Sequence, residues 1–120
     1  MRDDSPSEQP ITRDVLFDFE LTVPVPAHRI QARRIRMAPN HPAGLHVHNG
    51  PVVGNVVEGS VIFRIDGEPE QVLGPGDVFY EPEGARIARF DAGAEGATFL
   101  AYFPLCAGQE PEIEFLEDGR

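Results

Sequence analysis

Two histidines separated by one residue, His46 and His48, are the side chains in this sequence best placed to do chemistry together. On a β-strand, alternate residues point to the same face, and two such residues have Cα atoms about 7 Å apart. Both imidazoles could then reach one metal ion, while Val47 would face the other way. Imidazole suits Zn, Fe, Ni and Cu, and with added oxygen donors also Mn. The alternative is two exposed histidines beside a turn.

The elements that would position these histidines are predicted to be short β-strands. Twelve Gly and twelve Pro are scattered between short apolar runs, as in a β-sandwich or barrel. Apolar residues alternate from Val15 to Leu21, which predicts a strand with one buried face. Gly59 is predicted to end another strand, and Asp66-Gly67 predicts a two-residue hairpin turn. The nine or ten strands are predicted at 15–21, 29–38, 45–48, 52–58, 61–65, 71–73, 78–81, 87–90, 98–103 and 112–116.

Length and charge limit the classes of protein. The 120 residues suffice for one domain, predicted as a barrel over residues 11–120 after a disordered arm at 1–10. The net charge of −10 argues against nucleic acid and anionic membranes as partners. The sequence has no run of 18 apolar residues, so no membrane span is predicted, and its single cysteine, Cys106, excludes an internal disulfide. Because the start also lacks a signal-peptide pattern, we expect a soluble cytoplasmic protein.

The spacing of residues around the two histidines extends them into a longer pattern. The first part reads Gly, five residues, His-x-His, three or four residues, Glu, six residues, Gly; the second reads Gly, five residues, Pro-x-Gly, two residues, His. The matching positions are Asn40, His46, His48 and Gly59 in the first part, and Gly76, Pro82 and Gly84 in the second. Asn can replace the leading Gly because it tolerates the left-handed backbone conformation. With these motifs, the stretch from Pro39 to Phe103 resembles the cupin family.

The resemblance implies an all-β, single-domain jelly-roll barrel, the double-stranded β-helix of cupins, with His46 and His48 in its interior. It implies a divalent metal there, Fe, Mn, Ni or Zn. Two of the four family ligand positions are apolar in this chain, however, since Val52 replaces the Glu and Ile87 the second-motif His. Two imidazoles alone hold a metal poorly, because a catalytic site normally has three protein ligands.

Glu81 is the candidate third donor and the candidate catalytic residue. Strand alternation places Glu81 on the same face as Phe79, so that if Phe79 points into the core Glu81 does too. An inward carboxylate needs a partner, because an unpaired buried charge is costly. The partner could be a metal held with His46 and His48, a protonated imidazole, or an arginine of the strand at 29–38. The alternative is a solvated Glu81 at a strand end.

Three residues are candidates for binding a small-molecule substrate. Arg36 belongs to the cluster Arg29, Arg33, Arg34 and Arg36, and an inward Arg could clamp a carboxylate with two hydrogen bonds. Phe79 would line the pocket, and Arg89 shares a strand face with Ile87 and could reach the barrel mouth. For the arginines, the alternative is an exposed strand face.

Three functions are compatible with these residues. The first is a metal-dependent enzyme acting on a small molecule, since the family that the chain resembles contains oxygenases, isomerases and cyclases. The second is a metal-free barrel that binds or senses a small molecule at a degenerate site. The third is a metal-free acid–base enzyme that uses Glu81 with His46 or His48. The resemblance also implies a homodimer, to which the strand Val15–Leu21 and the C-terminal strand would contribute.

Overall fold

The structure, a computed structural model, describes residues 10–116 and is built from antiparallel β-strands. The predicted all-β class is therefore confirmed. The seven strands are β1 (Arg29–Met37), β2 (His46–His48), β3 (Val52–Ile65), β4 (Gln71–Leu73), β5 (Val78–Glu81), β6 (Ile87–Leu105) and β7 (Ile113–Phe115). No helix in the described part of the chain could span a lipid bilayer.

The two long strands, β3 and β6, pair with each other and organise the sheet. β3 also pairs with β4 and β5, and β6 also pairs with β1 and β2, while β7 is added to the free side of β2. The inward side chains form one core centred on aromatic rings, in which Phe90 lies 4.8 Å from Phe99 and 5.0 Å from Phe79 between ring centres. The sheet thus wraps around one interior as a jelly-roll barrel.

The strands predicted on either side of Gly59 are one continuous strand, and the separate strands 87–90 and 98–103 are also one. The reason is that glycine absorbs a bulge at each point without ending the ladder. Gly59 and Gly96 have φ of 74° and 81°, and the β3–β6 register shifts at Gly59. The two backbones approach so closely there that a Cβ on Gly59 would collide with the carbonyl oxygen of Gly96.

The predicted strand Val15–Leu21 is wrong, because residues 11–21 form no strand in the structure. Alternation defines two faces, but a strand also needs a neighbour with free backbone groups, and none pairs with this segment here. Aromatic contacts hold it instead, with the rings of Phe17 and Phe19 centred 6.4 and 5.0 Å from that of Tyr80. Val15 remains 81% exposed.

Most other local predictions hold. β1 begins at the predicted residue and ends one residue early, and the strand predicted at 112–116 is present as the shorter β7. Asn40 adopts the left-handed conformation expected of it, with φ of 58°. Asp66-Gly67 does form a turn, with φ of 85° at Gly67 and a hydrogen bond from the Glu68 amide to the Ile65 carbonyl. The prediction of a two-residue hairpin is wrong, however, because the pairing of β3 with β4 ends at Phe63 and Gln71 and leaves a longer loop. The arm predicted at residues 1–10 lies outside the described residues, apart from Pro10.

Candidate metal centre

β2 brings the two histidines to the same face of the sheet. It lies between β6 and β7, where His46 is the direct partner of Ile87 on one side and of Phe115 on the other. His46 is buried, 2% exposed, and His48 is half-buried. Their ring centres are 5.0 Å apart. The strand alternation that the sequence predicted therefore places both imidazoles together.

Glu81 comes to the histidines from β5. In this strand Phe79 and Glu81 are buried while Val78 and Tyr80 are partly exposed, which is the predicted alternation. One oxygen of Glu81, Oε1, lies 3.2 Å from Nε2 of His46 and 2.9 Å from Nε2 of His48. The partner of the inward carboxylate is thus the pair of imidazoles, and no arginine of β1 reaches it among the described contacts.

A backbone carbonyl orients His46. Its Nδ1 lies 2.7 Å from the carbonyl oxygen of Gly44, which can only accept a hydrogen bond, so Nδ1 carries the proton. Nε2 is then the ring atom directed at Glu81. In the neutral imidazole this nitrogen has a free lone pair, and metal-binding histidines are commonly oriented in this way by a carbonyl on the other nitrogen.

The buried pair perturbs the acidities of both its members. Burial disfavours the charged form of His46, but the hydrogen bonds to Glu81 and Gly44 and the negative charge of Glu81 outweigh it and raise the pKa of His46 above 6.5. Burial likewise disfavours the carboxylate, but the hydrogen bonds from His46 and His48 and their positive charge lower the pKa of Glu81 below 4.5. In the absence of metal, both shifts therefore favour the charged forms, a protonated His46 beside an ionised Glu81.

The donor set fits a divalent transition metal. One ligand atom from each of His46, His48 and Glu81 can be chosen so that all three lie within 4.8 Å of one another. Two imidazole nitrogens and a carboxylate oxygen suit Fe, Mn, Ni or Zn, and three protein ligands leave coordination positions open for substrate or water. The three residues together could therefore hold a divalent metal.

The register explains how Glu81 can take the place of the missing carboxylate. Val52, where the resembled family carries Glu, is the direct cross-strand partner of Glu81. Directly opposed residues project to the same face with Cβ atoms about 5 Å apart. A carboxylate on β5 can therefore occupy the space that one on β3 would fill. Ile87 is fully buried beside His46 and supplies no donor.

The cluster lies in the wall of a cavity of about 450 Å³. The rest of the wall is largely apolar and aromatic, with contributions from Val52, Phe79, Phe90, Phe99 and Phe103. Such a wall binds water poorly and lowers the local dielectric constant, so electrostatic interactions of the buried polar groups become stronger. The cavity can therefore hold an apolar small molecule against three polar side chains.

The structure separates the three predicted substrate-binding residues. Phe79 lines the cavity. Arg36 contributes to its rim, but its side chain is exposed and alternates with Ile35 and Met37, which face the interior. Arg89 lies elsewhere, because its guanidinium binds Glu70 at 2.7 Å and Asp91 at 2.8 Å on the surface. Arg89 is thus engaged by two carboxylates and is not among the residues that line this cavity.

Sequence reasoning missed two contributors to the site. The carbonyl of Gly44 left no signal, because any residue has a carbonyl group. Ile113 and Phe115 of β7 also line the cavity, and the Phe115 ring centre is 6.0 Å from that of His46. The alternation of Ile113 and Phe115 in the tail was a visible signal, but it did not indicate that β7 pairs with the histidine strand.

Comparisons with known proteins agree with this fold. The family profile described as "Cupin domain" matches residues 33–101. Among solved structures, an oxalate oxidase bound to glycolate is 24% identical, with a TM-score of 0.61 over 72% of this chain and 46% of that chain. Oxalate decarboxylase from Bacillus subtilis is 25% identical, with a TM-score of 0.62 over 72% of this chain and 24% of that chain.

A third solved structure is closer in size. An RmlC-like cupin from Shewanella frigidimarina is 26% identical, with a TM-score of 0.56 over 65% of this chain and 68% of that one. The match spans less than half the length of the oxalate oxidase. No curated protein sequence matches it. The profile match covers more than half of the residues, and the barrel and its histidine strand agree with it, so the chain belongs to the cupin family.

Proposed function

We propose that this cupin binds one divalent transition metal through His46, His48 and Glu81, and that it is a metal-dependent enzyme acting on a small organic molecule in the adjoining cavity. The observation that carries the proposal is the convergence of both histidine Nε2 atoms on one oxygen of Glu81, in the wall of a cavity of about 450 Å³. A cluster of perturbed titratable groups in an apolar pocket is the usual setting of an active site.

The residues of the chain would divide the work as follows. His46, oriented by the Gly44 carbonyl, would bind the metal through Nε2, with His48 and Glu81 as the other ligands. A bound divalent metal supplies Lewis-acid or redox chemistry. The aromatic wall would exclude water and hold the apolar part of the substrate, which strengthens each polar contact at the cluster.

The relatives support an enzyme without identifying its reaction. Oxalate oxidase and oxalate decarboxylase are enzymes of the same fold, but folds carry many chemistries and function is decided by the site. Because Val52 and Ile87 are apolar, this site has three donors instead of four. Its carboxylate comes from β5, whereas the family resemblance implies one on β3. The proposal therefore extends to metal-assisted chemistry in the cavity and to no specific relative's substrate.

Metal titration tests the proposal. Calorimetric titration of chelator-treated protein with Mn²⁺, Fe²⁺, Ni²⁺ and Zn²⁺ is expected to show one site per chain. The double variant His46→Ala/His48→Ala should lose this site, because a single carboxylate is left. The matched control is His28→Ala/His41→Ala, which removes the other two of the four histidines and leaves the cluster intact.

Two outcomes would contradict the metal proposal. One is a wild-type protein that binds none of these ions, and the other is binding that survives in the His46→Ala/His48→Ala variant but is lost in the control. If the wild type binds no metal yet binds small aromatic molecules, the metal-free binding barrel replaces the enzyme as the function.

We also propose that the protein is a homodimer. Among residues 10–116, β1 pairs only with β6 and no described strand covers its second edge, and the segment 15–21 exposes alternating apolar side chains. Free strand edges and exposed apolar segments favour association with another chain. Sedimentation equilibrium is expected to give twice the monomer mass of 13.2 kDa. Phe19→Asp should shift the mass toward the monomer, and an unchanged mass would argue against this segment as the contact.

A further inference from the structure

We infer that the cavity binds an organic anion with an apolar body, and that Arg33 on β1 holds the anionic group at the rim of the cavity. The inference deepens the proposed function and rests on it in one respect, namely that the other end of the molecule faces His46, His48 and Glu81. The position of Arg33 itself does not depend on a metal.

The register of β1 places Arg33, rather than Arg36, on the interior side. Arg33 is the direct cross-strand partner of Ala101, and Ile35 is the partner of Phe99. Both partners are buried residues of the cavity wall. Directly opposed residues of an antiparallel pair project to the same face, so the side chain of Arg33 starts out on the cavity side. Arg34 and Arg36, at the alternate positions, start out on the other side, although Arg36 still contributes to the rim of the cavity.

Arg33 is exposed and does not itself line the cavity, but its guanidinium is held beside the cavity wall by two neighbours that carry no charge. Its central carbon lies 5.2 Å from the ring centre of Phe103, a cavity residue, and its Nε donates to the side-chain oxygen of Gln31. Within residues 10–116, Arg33 forms no ion pair, whereas the guanidinium of Arg29 binds Glu110 at 2.8 Å. A positioned guanidinium whose terminal nitrogens lack an acidic partner suits a carboxylate, which it can bind with two hydrogen bonds.

Local charge favours an anion at this point although the whole chain is acidic. Four of the ten basic residues, Arg29, Arg33, Arg34 and Arg36, lie on β1. Among the described residues, Glu81 supplies the only carboxylate in the lining of the cavity, and two imidazoles contact this carboxylate. A carboxylate approaching β1 therefore meets positive charge, and one approaching the acidic remainder of the surface is repelled.

The wall sets the body of the ligand. Between Arg33 and the cluster, the interior is formed by side chains such as Phe79, Phe99, Phe103 and Ala101. These groups offer no hydrogen bonds to the hydroxyls of a sugar or polyol, and burying such hydroxyls unpaired is costly. Aromatic rings pack favourably against an aromatic or aliphatic body. The wall therefore selects an apolar spacer.

The ring of Phe103 neighbours both polar ends. The guanidinium carbon of Arg33 is 5.2 Å from the centre of this ring, and the ring centre of His48 is 6.5 Å from it. A ligand that packs on Phe103 can therefore reach both groups. A ring with oxygen groups at opposite ends is a ligand of this kind.

The test compares 4-hydroxybenzoate with its neutral methyl ester by calorimetry, on both metal-free and Zn²⁺-treated protein. The wild type is expected to bind the anion at least about tenfold more tightly than the ester, the effect of a hydrogen-bonded charge. Arg33→Gln should abolish this preference and leave the affinity for the ester unchanged. The matched control, Arg34→Gln, removes the same charge from the neighbouring residue and should retain the preference.

Three results would overturn the inference: equal affinities for the two probes in the wild type, a preference that persists in Arg33→Gln, or no binding of either probe. Failure of the proposed metal function is a separate observation, namely the absence of a metal site in the titration of the wild type. The comparison of anion and ester in metal-free protein still tests Arg33 in that case.

Discussion

Replacing Glu81 with Gln is expected to lower the affinity for a transition metal by more than about 100-fold, because loss of even an outer-shell group costs 10- to 100-fold and Glu81 is a proposed direct ligand. The amide keeps the size of the side chain and removes its charge. In metal-free protein, the same change should lower the free energy of unfolding by about 2 kcal/mol near pH 5.5, the usual contribution of a hydrogen bond to a charged group.

The loss of stability should depend on pH in a defined direction. The pKa of Glu81 is lowered from 4.5, so its contribution is present above that value and is lost as the pH falls through the folded-state pKa. The pKa of His46 is raised from 6.5, so its contribution is present below that value and is lost as the pH rises through the folded-state pKa. The difference between wild type and Glu81→Gln is therefore expected to be largest between about pH 4.5 and 6.5 and smaller at pH 8.

Urea denaturation at pH 5.5 and pH 8, in the presence of a chelator, measures this difference. Glu114→Gln is the matched control, because it removes one carboxylate from an exposed position on β7 and leaves the cluster unchanged. A Glu81→Gln protein as stable as the wild type at pH 5.5, or one with undiminished metal affinity, would contradict the ion pair and the metal ligand respectively.

Gly59→Ala is expected to destabilise the barrel by about 3 kcal/mol or more. Two costs combine at this position. A non-Gly residue at a φ of 74° is strained by roughly 1–2 kcal/mol, and the new methyl group would collide with the backbone carbonyl of Gly96, which forces the two long strands apart. Since β3 and β6 organise the whole sheet, the strain cannot be relieved at a loose end.

Gly67→Ala separates the two costs. Gly67 has a similar φ of 85°, but no atom lies within 4 Å of where its Cβ would be. Its substitution should therefore show the backbone cost alone, about 1–2 kcal/mol. Thermal or urea unfolding of both variants measures the comparison. Equal destabilisation of Gly59→Ala and Gly67→Ala would mean that the close approach of β3 and β6 at Gly96 has no energetic consequence.

Local rules predicted much of the fold because its signals lie close together in the sequence. Alternation in β1 and β5, the left-handed Asn40 and the Asp66-Gly67 turn each depend on a few neighbouring residues. The same rules failed for Val15–Leu21, which forms no strand. Whether an extended segment pairs depends on a free edge elsewhere in the fold, and that information is not local.

The candidate site shows the same division. The i, i+2 spacing of His46 and His48 was enough to place both imidazoles on one face, and the alternation after Phe79 was enough to turn Glu81 inward. That these faces meet depends on pairings between residues far apart in the chain. Val52 opposite Glu81 and His46 opposite Ile87 are such pairings, and they also show why a carboxylate on β5 can take over from one on β3.

For the paired histidines, residue types and their spacing were enough to predict a common face and the family of barrel that contains them. Strand pairing was needed to see that one oxygen of Glu81 contacts both imidazoles, that the Gly44 carbonyl orients His46, and that Arg33 starts out on the cavity side of β1. The physical reason is that residue spacing sets the direction of a side chain within its own strand, whereas contact between side chains depends on which strands pair and in which register.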